Sequence, residues 1–284
     1  MNTVRASVYE SGHSGPHVLF LGAIHGNEIC GPKAIQRLER ELRTGAVRLV
    51  RGTVTCVRVC NPRAYAKNVR FTEQNLNRVF RKTKNPRSYE AHLANQLAPL
   101  IDACDIVLDL HSFTARGRPF IFIDFPSEKT RAHAKVLGPK MAVVGWPELY
   151  AKQTRAHASY DTTAYAARKG KIGLLIECGQ HTAPEAERIA YVAMRRTLAH
   201  FRLTEGKASS GRLAFVKVDR VYFRTNVSQK LTRKWKHLDP VKKGTLVVQG
   251  GEGAGIKAPY DGYVILPKAT GKVDEELVYF GRTS

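Results

Sequence analysis

The chain has no apolar run approaching the ~20 residues that cross a bilayer. Its first ten residues, Met1 to Glu10, hold no apolar stretch of signal-peptide length. A membrane-bound or exported protein is therefore not expected, and a cytoplasmic one is. Cysteine is scarce and odd in number. The five, Cys30, Cys56, Cys60, Cys104 and Cys178, show neither the paired spacing of a disulfide scaffold nor that of a four-cysteine zinc site. A reducing compartment is the simpler reading. Acidic residues are also few, 24 against 46 Lys and Arg, which leaves a net charge of +22. The excess is uneven: residues 51–100 contribute +8 and residues 201–250 contribute +9. Such a surface attracts anions, whether acidic small substrates, a polyanion or nucleic acid, and a diffuse solubilising background is the alternative. No zinc-finger or RNP pattern accompanies the charge, so nucleic acid is not the expected partner.

What is present is ordinary for a soluble globular protein, with 43% hydrophobic and 25% charged residues. At 284 residues the chain is long enough for one large core and a smaller module. The pattern predicts strands near 3–9, 17–24, 53–60, 105–110, 119–124 and 171–176. Between them it predicts helices near 32–43, 88–103, 128–140, 161–169 and 184–202. Alternation of this kind argues for an α/β layer around a largely buried sheet.

Three of these strands deliver chemistry at their ends. The run His17 to Ile24 is followed by His25-Gly26-Asn27-Glu28, where Gly26 lets the backbone bend, and Gly31-Pro32 with Ala34, Ile35 and Leu38 announces a helix. An H-x-x-E pair brings an imidazole nitrogen and a carboxylate oxygen within reach of one small cation, although four residues alone also read as a solvated turn. The second run, Asp105 to Leu110, ends on His111, with Asp109 placed to orient that imidazole or to cap the strand. Catalytic zinc keeps three protein ligands and one open position, and His25, Glu28 and His111 fit that count. After the third run, Lys171 to Ile176, comes Glu177, whose apolar context makes an unpaired carboxylate expensive. It reads as a catalytic base or as an ion-paired core glutamate. His181 is placed to line a pocket or to be exposed. Thr182 and Glu185 stand at capping-box spacing, and Cys178 reads as a small hydrophobe.

In sequence order, His25-Gly26-Asn27-Glu28, Asn61-Pro62-Arg63-Ala64, Arg70 with Asn75-Leu76-Asn77-Arg78-Val79-Phe80, Asp109-Leu110-His111 and Glu177-Cys178-Gly179-Gln180-His181 resemble successive motifs of one family. That family is the succinylglutamate desuccinylase/aspartoacylase family, a branch of the zinc carboxypeptidase-like hydrolases. The likeness spans about residues 17–190. It implies an α/β fold with a zinc carboxypeptidase-like, eight-stranded mixed β-sheet sandwiched by helices, and one zinc ion per subunit held by His25, Glu28 and His111. It implies that Glu177 is the general base for the attacking water and that Arg70 polarises the carbonyl. Asn77 and Arg78 would clamp a substrate carboxylate. A guanidinium grips a carboxylate through two parallel hydrogen bonds, which fixes orientation as well as charge.

The sequence departs from the family's pattern in three places. Asn75 stands where the family usually has aspartate, so altered pairing in that loop is expected with the Asn77-Arg78 clamp retained. Ala167 stands where aspartoacylases place an arginine for the substrate's side-chain carboxylate. Arg168, one residue on, points roughly 100° away in a helix, so N-acetylaspartate specificity does not transfer. Tyr260, Tyr263 and Tyr279 align ambiguously with a C-terminal tyrosine found near the site in some members.

Composition changes at residues 204–211, a polar small-residue linker. Domains at 1–204 and 211–284 are expected, the second a small C-terminal β-domain, barrel-like, that narrows the site's entrance. It has no Met-Lys-Met lipoyl attachment motif, so a swinging-arm role is not expected. The expected activity is a zinc-dependent amidohydrolase acting on an N-acyl amino acid or a similar small carboxylate-bearing amide. A carboxypeptidase for short peptides, or a non-catalytic basic binding protein on the same fold, are the alternatives. Whether the chain forms a homo-oligomer stays open.

Overall fold

The computed structural model describes residues 3–152, 160–251 and 255–284. Residues 1 and 2, the start of the expected first domain, lie outside them. In chain order the first half comprises β1 (Ser7–Glu10), β2 (His17–Gly22), α1 (Cys30–Thr44), β3 (Thr53–Val57), α2 (Pro62–Ala66), α3 (Leu76–Val79), α4 (Tyr89–Ala103), β4 (Ile106–Phe113) and β5 (Phe120–Phe122). There follow α5 (Glu128–Leu137), β6 (Met141–Val144), α6 (Trp146–Ala151), α7 (Thr162–Arg168), β7 (Ile172–Gln180) and α8 (Pro184–His200). The last part is all strand: β8 (Ala214–Phe223), β9 (Lys230–Leu231), β10 (Asp239–Val241), β11 (Leu246–Gln249), β12 (Ile256–Lys257), β13 (Gly262–Ile265) and β14 (Glu276–Thr283).

Eleven strands form one mixed sheet in the order β1-β3-β2-β4-β7-β5-β6-β8-β14-β13-β10, and β12-β11-β9 form a second, small one. This is the expected α/β class, with helices over both faces of the large sheet. Its first eight places run from β1 to β8, so the eighth strand comes from beyond the 204–211 segment. β8 pairs in parallel with β6, Val216 against Val143. Antiparallel β14, β13 and β10 then continue from its far edge.

Strand burial follows from sequence alternation. Val18, Phe20, Leu108, Leu110 and Ile176 pack on one face with Ile35 and Leu38 of α1 and Met194 of α8. Leu19, Leu21 and Val107 pack on the other with Leu93 and Leu97 of α4. Every residue of β4 is buried, Asp109 and His111 included. A strand covered on both faces must read as a nearly continuous apolar run, which makes Asp109 and His111 conspicuous.

Boundaries differ where local chemistry outweighs periodicity. α1 starts two residues earlier than expected and stops at Gly45, whose φ of +76° is the left-handed conformation that closes helices. α5 ends at Leu137 instead of residue 140 because Gly138 takes φ +119°. The expected capping box at Thr182 does not form: Ala183 is the N-cap of α8 without a side-chain bond, and Thr182 Oγ1 donates to Gln180 Oε1 at 2.8 Å. Short β6, α2, α3 and α6 were not expected. Four to six residues are too few for periodicity to declare.

Register then places the chemistry. Gly22 ends β2 opposite Leu110, His111 lies beside Glu177, and Glu177 lies beside Phe120 of antiparallel β5. These are carboxyl ends of parallel strands, where open α/β sheets form their crevices.

Candidate active site

The turn after β2 is built for close approach. Ala23 takes φ +48°, and Gly26 N donates to Arg70 O at 3.2 Å. A Cβ on Gly26 would sit 2.1 Å from the carbonyl carbon of Ala64, so only glycine fits between this turn and α2. The segment after α2 is organised by Glu90 of α4. Its Oε1 accepts from Thr72 N at 2.8 Å, Thr72 Oγ1 at 2.9 Å and Asn61 Nδ2 at 3.2 Å, and its Oε2 accepts from Gln74 N at 3.0 Å. Burial pushes its carboxyl up, but these donors outweigh that and hold it low. Glu90 thereby fixes the loop that carries Arg70 and Asn75 to Arg78.

The two imidazoles converge on one carboxylate. His25 Nδ1 is 2.8 Å from Glu28 Oε1, and His111 Nδ1 is 2.8 Å from Glu28 Oε2. All three side chains are buried, and one donor atom from each lies within 4.8 Å of the others. The outer nitrogens are held as well. Asn75 Oδ1 is 3.0 Å from His25 Nε2, and Asp109 Oδ2 is 3.0 Å from His111 Nε2 while accepting from Thr162 Oγ1 at 2.5 Å. Outer partners of this kind fix a ligating imidazole's tautomer and direction. Glu28 Oε1 also accepts from Arg70 Nη1 at 3.1 Å, and Oε2 from Ser112 N at 3.1 Å.

The electrostatics are those of buried charges in contact. Burial opposes ionisation of Glu28, but His25 and His111 outweigh it and hold the carboxyl well below its usual range. Burial likewise opposes charge on His111, and Asp109 and Glu28 outweigh it and hold the imidazole well above 6.5. His25, pressed by burial and by Arg70, falls to about 4. Glu177 is pushed up to about 8, first by burial and then by the Glu28 charge. Its Oε2 is buried with no hydrogen-bond partner among the described residues. Two neutral-capable nitrogens and a carboxylate oxygen, buried together beside an orphaned carboxylate, are a donor set that suits a divalent cation.

A cavity of about 140 Å³ opens in front of this group. Six of the eight side chains singled out from sequence line it: His25, Arg70, Asn77, Arg78, His111 and Glu177. Glu28 lies behind them, and His181 stands outside the lining with Nδ1 2.8 Å from Ser112 Oγ. Asn77 Nδ2 approaches His111 Nε2 at 3.4 Å, and Arg78 Nη1 donates to Asn77 O at 3.0 Å. Of the three ambiguous tyrosines, Tyr279 lines the cavity, its hydroxyl 2.6 Å from that of Tyr150. Tyr260 bonds to Asp219 instead.

Sequence reading missed Asp124, Trp146, Tyr150, Asp161, Lys268 and Glu276, all of which line the same cavity. Asp124 carried a signal, since it follows the apolar run Phe120 to Ile123 just as His111 and Glu177 follow theirs. The others come from segments distant in sequence, and no local spacing marks them.

A mixed sheet whose carboxyl-end crevice holds a histidine–glutamate–histidine group and an isolated carboxylate defines a hydrolase-type site. The profile of the succinylglutamate desuccinylase/aspartoacylase catalytic domain matches residues 14–203, and the chain belongs to that family, whose members are amide hydrolases. The N-alpha-acetyl-L-2,4-diaminobutyric acid deacetylase of Halomonas elongata is 30% identical over 213 residues, a span of 68% of this chain and 57% of that protein. A succinylglutamate desuccinylase/aspartoacylase from Rhodobacter sphaeroides superposes with a TM-score of 0.79 at 20% identity, covering 99% of this chain and 90% of that one. The product-bound ectoine utilization protein EutE (DoeB) from Ruegeria pomeroyi gives 0.76 at 20% identity, covering 98% and 88%. At these identities the two structures speak to the fold alone. Among the described residues no helix is long and apolar enough to cross a membrane.

Proposed function

We propose that this chain is a zinc-dependent deacylase that hydrolyses the amide bond of an N-acyl amino acid or a similarly small carboxylate-bearing amide. The observation that carries the reading is the buried group of His25, Glu28 and His111 with Glu177 facing the same cavity. One zinc ion would be held by His25 Nδ1, His111 Nδ1 and Glu28, and when bound it supplies Lewis acidity and lowers the pKa of water.

The chain's own groups account for the rest. Glu177 accepts a proton from the attacking water as its oxygen bonds to the acyl carbon, and returns that proton to the amine nitrogen when the C–N bond breaks. Arg70 stabilises the negative oxygen that develops on the former carbonyl. Arg78 and Asn77 hold the substrate carboxylate, and His181 supports the wall through Ser112. The cavity is smaller than the ~300 Å³ from which drug-sized ligand sites begin, which favours a small amide over a peptide. Leu266, Lys268, Glu276 and Tyr279 reach the cavity from the C-terminal segment, and this supports a catalytic domain at 1–204 with 211–284 narrowing its entrance.

The test is a turnover screen of zinc-loaded protein against N-acyl amino acids and short peptides, with matched amides whose carboxylate is blocked. Arg78→Ala should raise KM sharply for the free carboxylates and matter little for the blocked ones. Equal effects on both would remove the clamp, and no turnover on any member of the panel would remove the deacylase reading.

A further inference from the structure

A second cavity, of about 720 Å³, shares one residue with the catalytic cavity: Arg78 lines both. Arg81 and Arg87 complete its cationic wall, Gln74 and Tyr160 stand beside them, and no carboxylate is among its described lining residues. Among the described residues neither Arg81 nor Arg87 makes an ion pair, whereas Lys82 between them pairs with Asp102 at 2.6 Å. The carboxylates whose charge acts on Arg78, those of Glu276 and Asp161, line the catalytic cavity. The first-turn acid of α4, Glu90, is bound to the amides of Thr72 and Gln74 and does not line the second cavity. A recess lined by charge of one sign focuses its field and concentrates counter-ions.

The segment that carries the two arginines is held in place. Phe80 N donates to Tyr160 O at 2.9 Å. Thr83 N donates to Asn95 Oδ1 at 2.9 Å, and Asn95 Nδ2 returns a bond to Thr83 O at 2.8 Å. With the Lys82 pair, these bonds tie residues 80–83 to α4 and to the start of α7. The Arg81 guanidinium lies 5.1 Å from the centroid of the Tyr160 ring, a contact that orients a cation without neutralising it. Ser88 accepts from Ala91 N at 3.2 Å and donates to Gln74 Oε1 at 3.0 Å, so the Gln74 amide nitrogen is left as a further donor.

We propose that this second cavity is a binding site for a phosphorylated small molecule. Its three guanidiniums exceed what one carboxylate can neutralise. A phosphoryl group brings about two negative charges and three acceptor oxygens, and guanidinium forks match that geometry. The volume falls in the ~300–1,000 Å³ range of small-molecule sites, which leaves room for an organic portion beside the phosphate. A single recess favours a small molecule over a nucleic-acid strand, which is bound along an extended groove.

The experiment is calorimetry with phenyl phosphate on the full chain, zinc-loaded and metal-free, at ~0.15 M salt, where exposed charges are screened beyond about 8 Å. Benzoate is the matched carboxylate, and melting curves check that each variant folds. One phenyl phosphate per chain is expected, with equal affinity in both metal states and much weaker binding of benzoate. Arg81→Ser combined with Arg87→Ser should weaken phenyl phosphate about ten- to a hundredfold, the usual worth of lost charge-assisted hydrogen bonds. Lys234→Ser combined with Lys243→Ser removes the same charge from exposed positions outside the cavity and should leave the affinity unchanged.

No binding overturns the proposal. So does binding that depends on zinc or survives loss of both arginines, since either result places the anion in the catalytic cavity. Equal losses in the two double variants would make the attraction a property of the +22 charge as a whole. Benzoate binding as tightly as phenyl phosphate overturns the phosphate assignment. A single-stranded oligonucleotide that binds more tightly through the same two arginines overturns the small-molecule occupant.

Discussion

Replacing Asn75 tests whether the site is organised for a metal. Its Oδ1 stands 3.0 Å from His25 Nε2 and accepts from Asn77 N at 3.0 Å, so one amide both caps α3 and aims the imidazole. If His25 Nδ1 gives its lone pair to zinc, Nε2 carries the ring proton and donates to Asn75 Oδ1, and Asn75→Ala leaves that buried N–H without an acceptor. An unsatisfied buried donor costs ~1–3 kcal/mol, so zinc affinity should fall about 5- to 150-fold. This brackets the ~10–100-fold typical of outer-partner removal at metal sites.

Asn75→Asp replaces a neutral acceptor by a charged one in the same place, with the cap on Asn77 preserved. The gain of ~1 kcal/mol expected of a charged over a neutral hydrogen bond gives about fivefold tighter binding. Competition with a chromogenic chelator at fixed pH and salt measures all three affinities, and melting in excess chelator checks that each variant folds. If Asn75→Ala binds zinc as tightly as the unmodified chain, or Asn75→Asp binds no tighter than Asn75→Ala, the assignment of His25 as a ligand oriented by Asn75 is wrong.

Two further outcomes follow from Glu177. Glu177→Gln should retain zinc and fold yet lose about 10²–10⁴ in kcat, because an amide cannot take the water's proton; near-normal turnover would make Glu177 structural. In the metal-free chain its carboxyl, raised by burial from 4.5 to about 8, contributes stability that is fully present below the unfolded value and is lost as pH rises through 8. The melting temperature of metal-free protein should therefore fall between pH 5 and 8 more steeply than that of Glu177→Gln, and parallel curves would refute the assignment of the shift to this group.

Much of this site was legible because polar residues are costly inside parallel strands. His111 and Glu177 each terminate an apolar run, and the H-x-x-E turn follows another, so those residues announced themselves without a structure. Asn77 and Arg78, which line the cavity and are proposed to clamp the substrate carboxylate, were legible through the family's motif order. Asp124 carried the same strand-end signal and was passed over because no motif accompanied it. Thr182 shows the opposite failure: its capping-box spacing was right, but Gln180 competed for its hydroxyl. α6 and β6 were missed since each is short, and Trp146 and Tyr150 went with them.

The sequence by itself determined the buried strands, the histidine–glutamate–histidine donor set, the buried carboxylate of Glu177 beside it and the family, since each rests on local spacing or on the cost of burying polar groups. The tertiary structure decided which distant groups share the cavity. Strand pairing set His111 beside Glu177, the β6–β8 pairing carried the sheet past the linker, and the fold brought Asp124, Trp146, Asp161 and Tyr279 onto one wall. Those encounters depend on contacts between residues tens to more than a hundred positions apart, and no periodicity or motif along the chain encodes them.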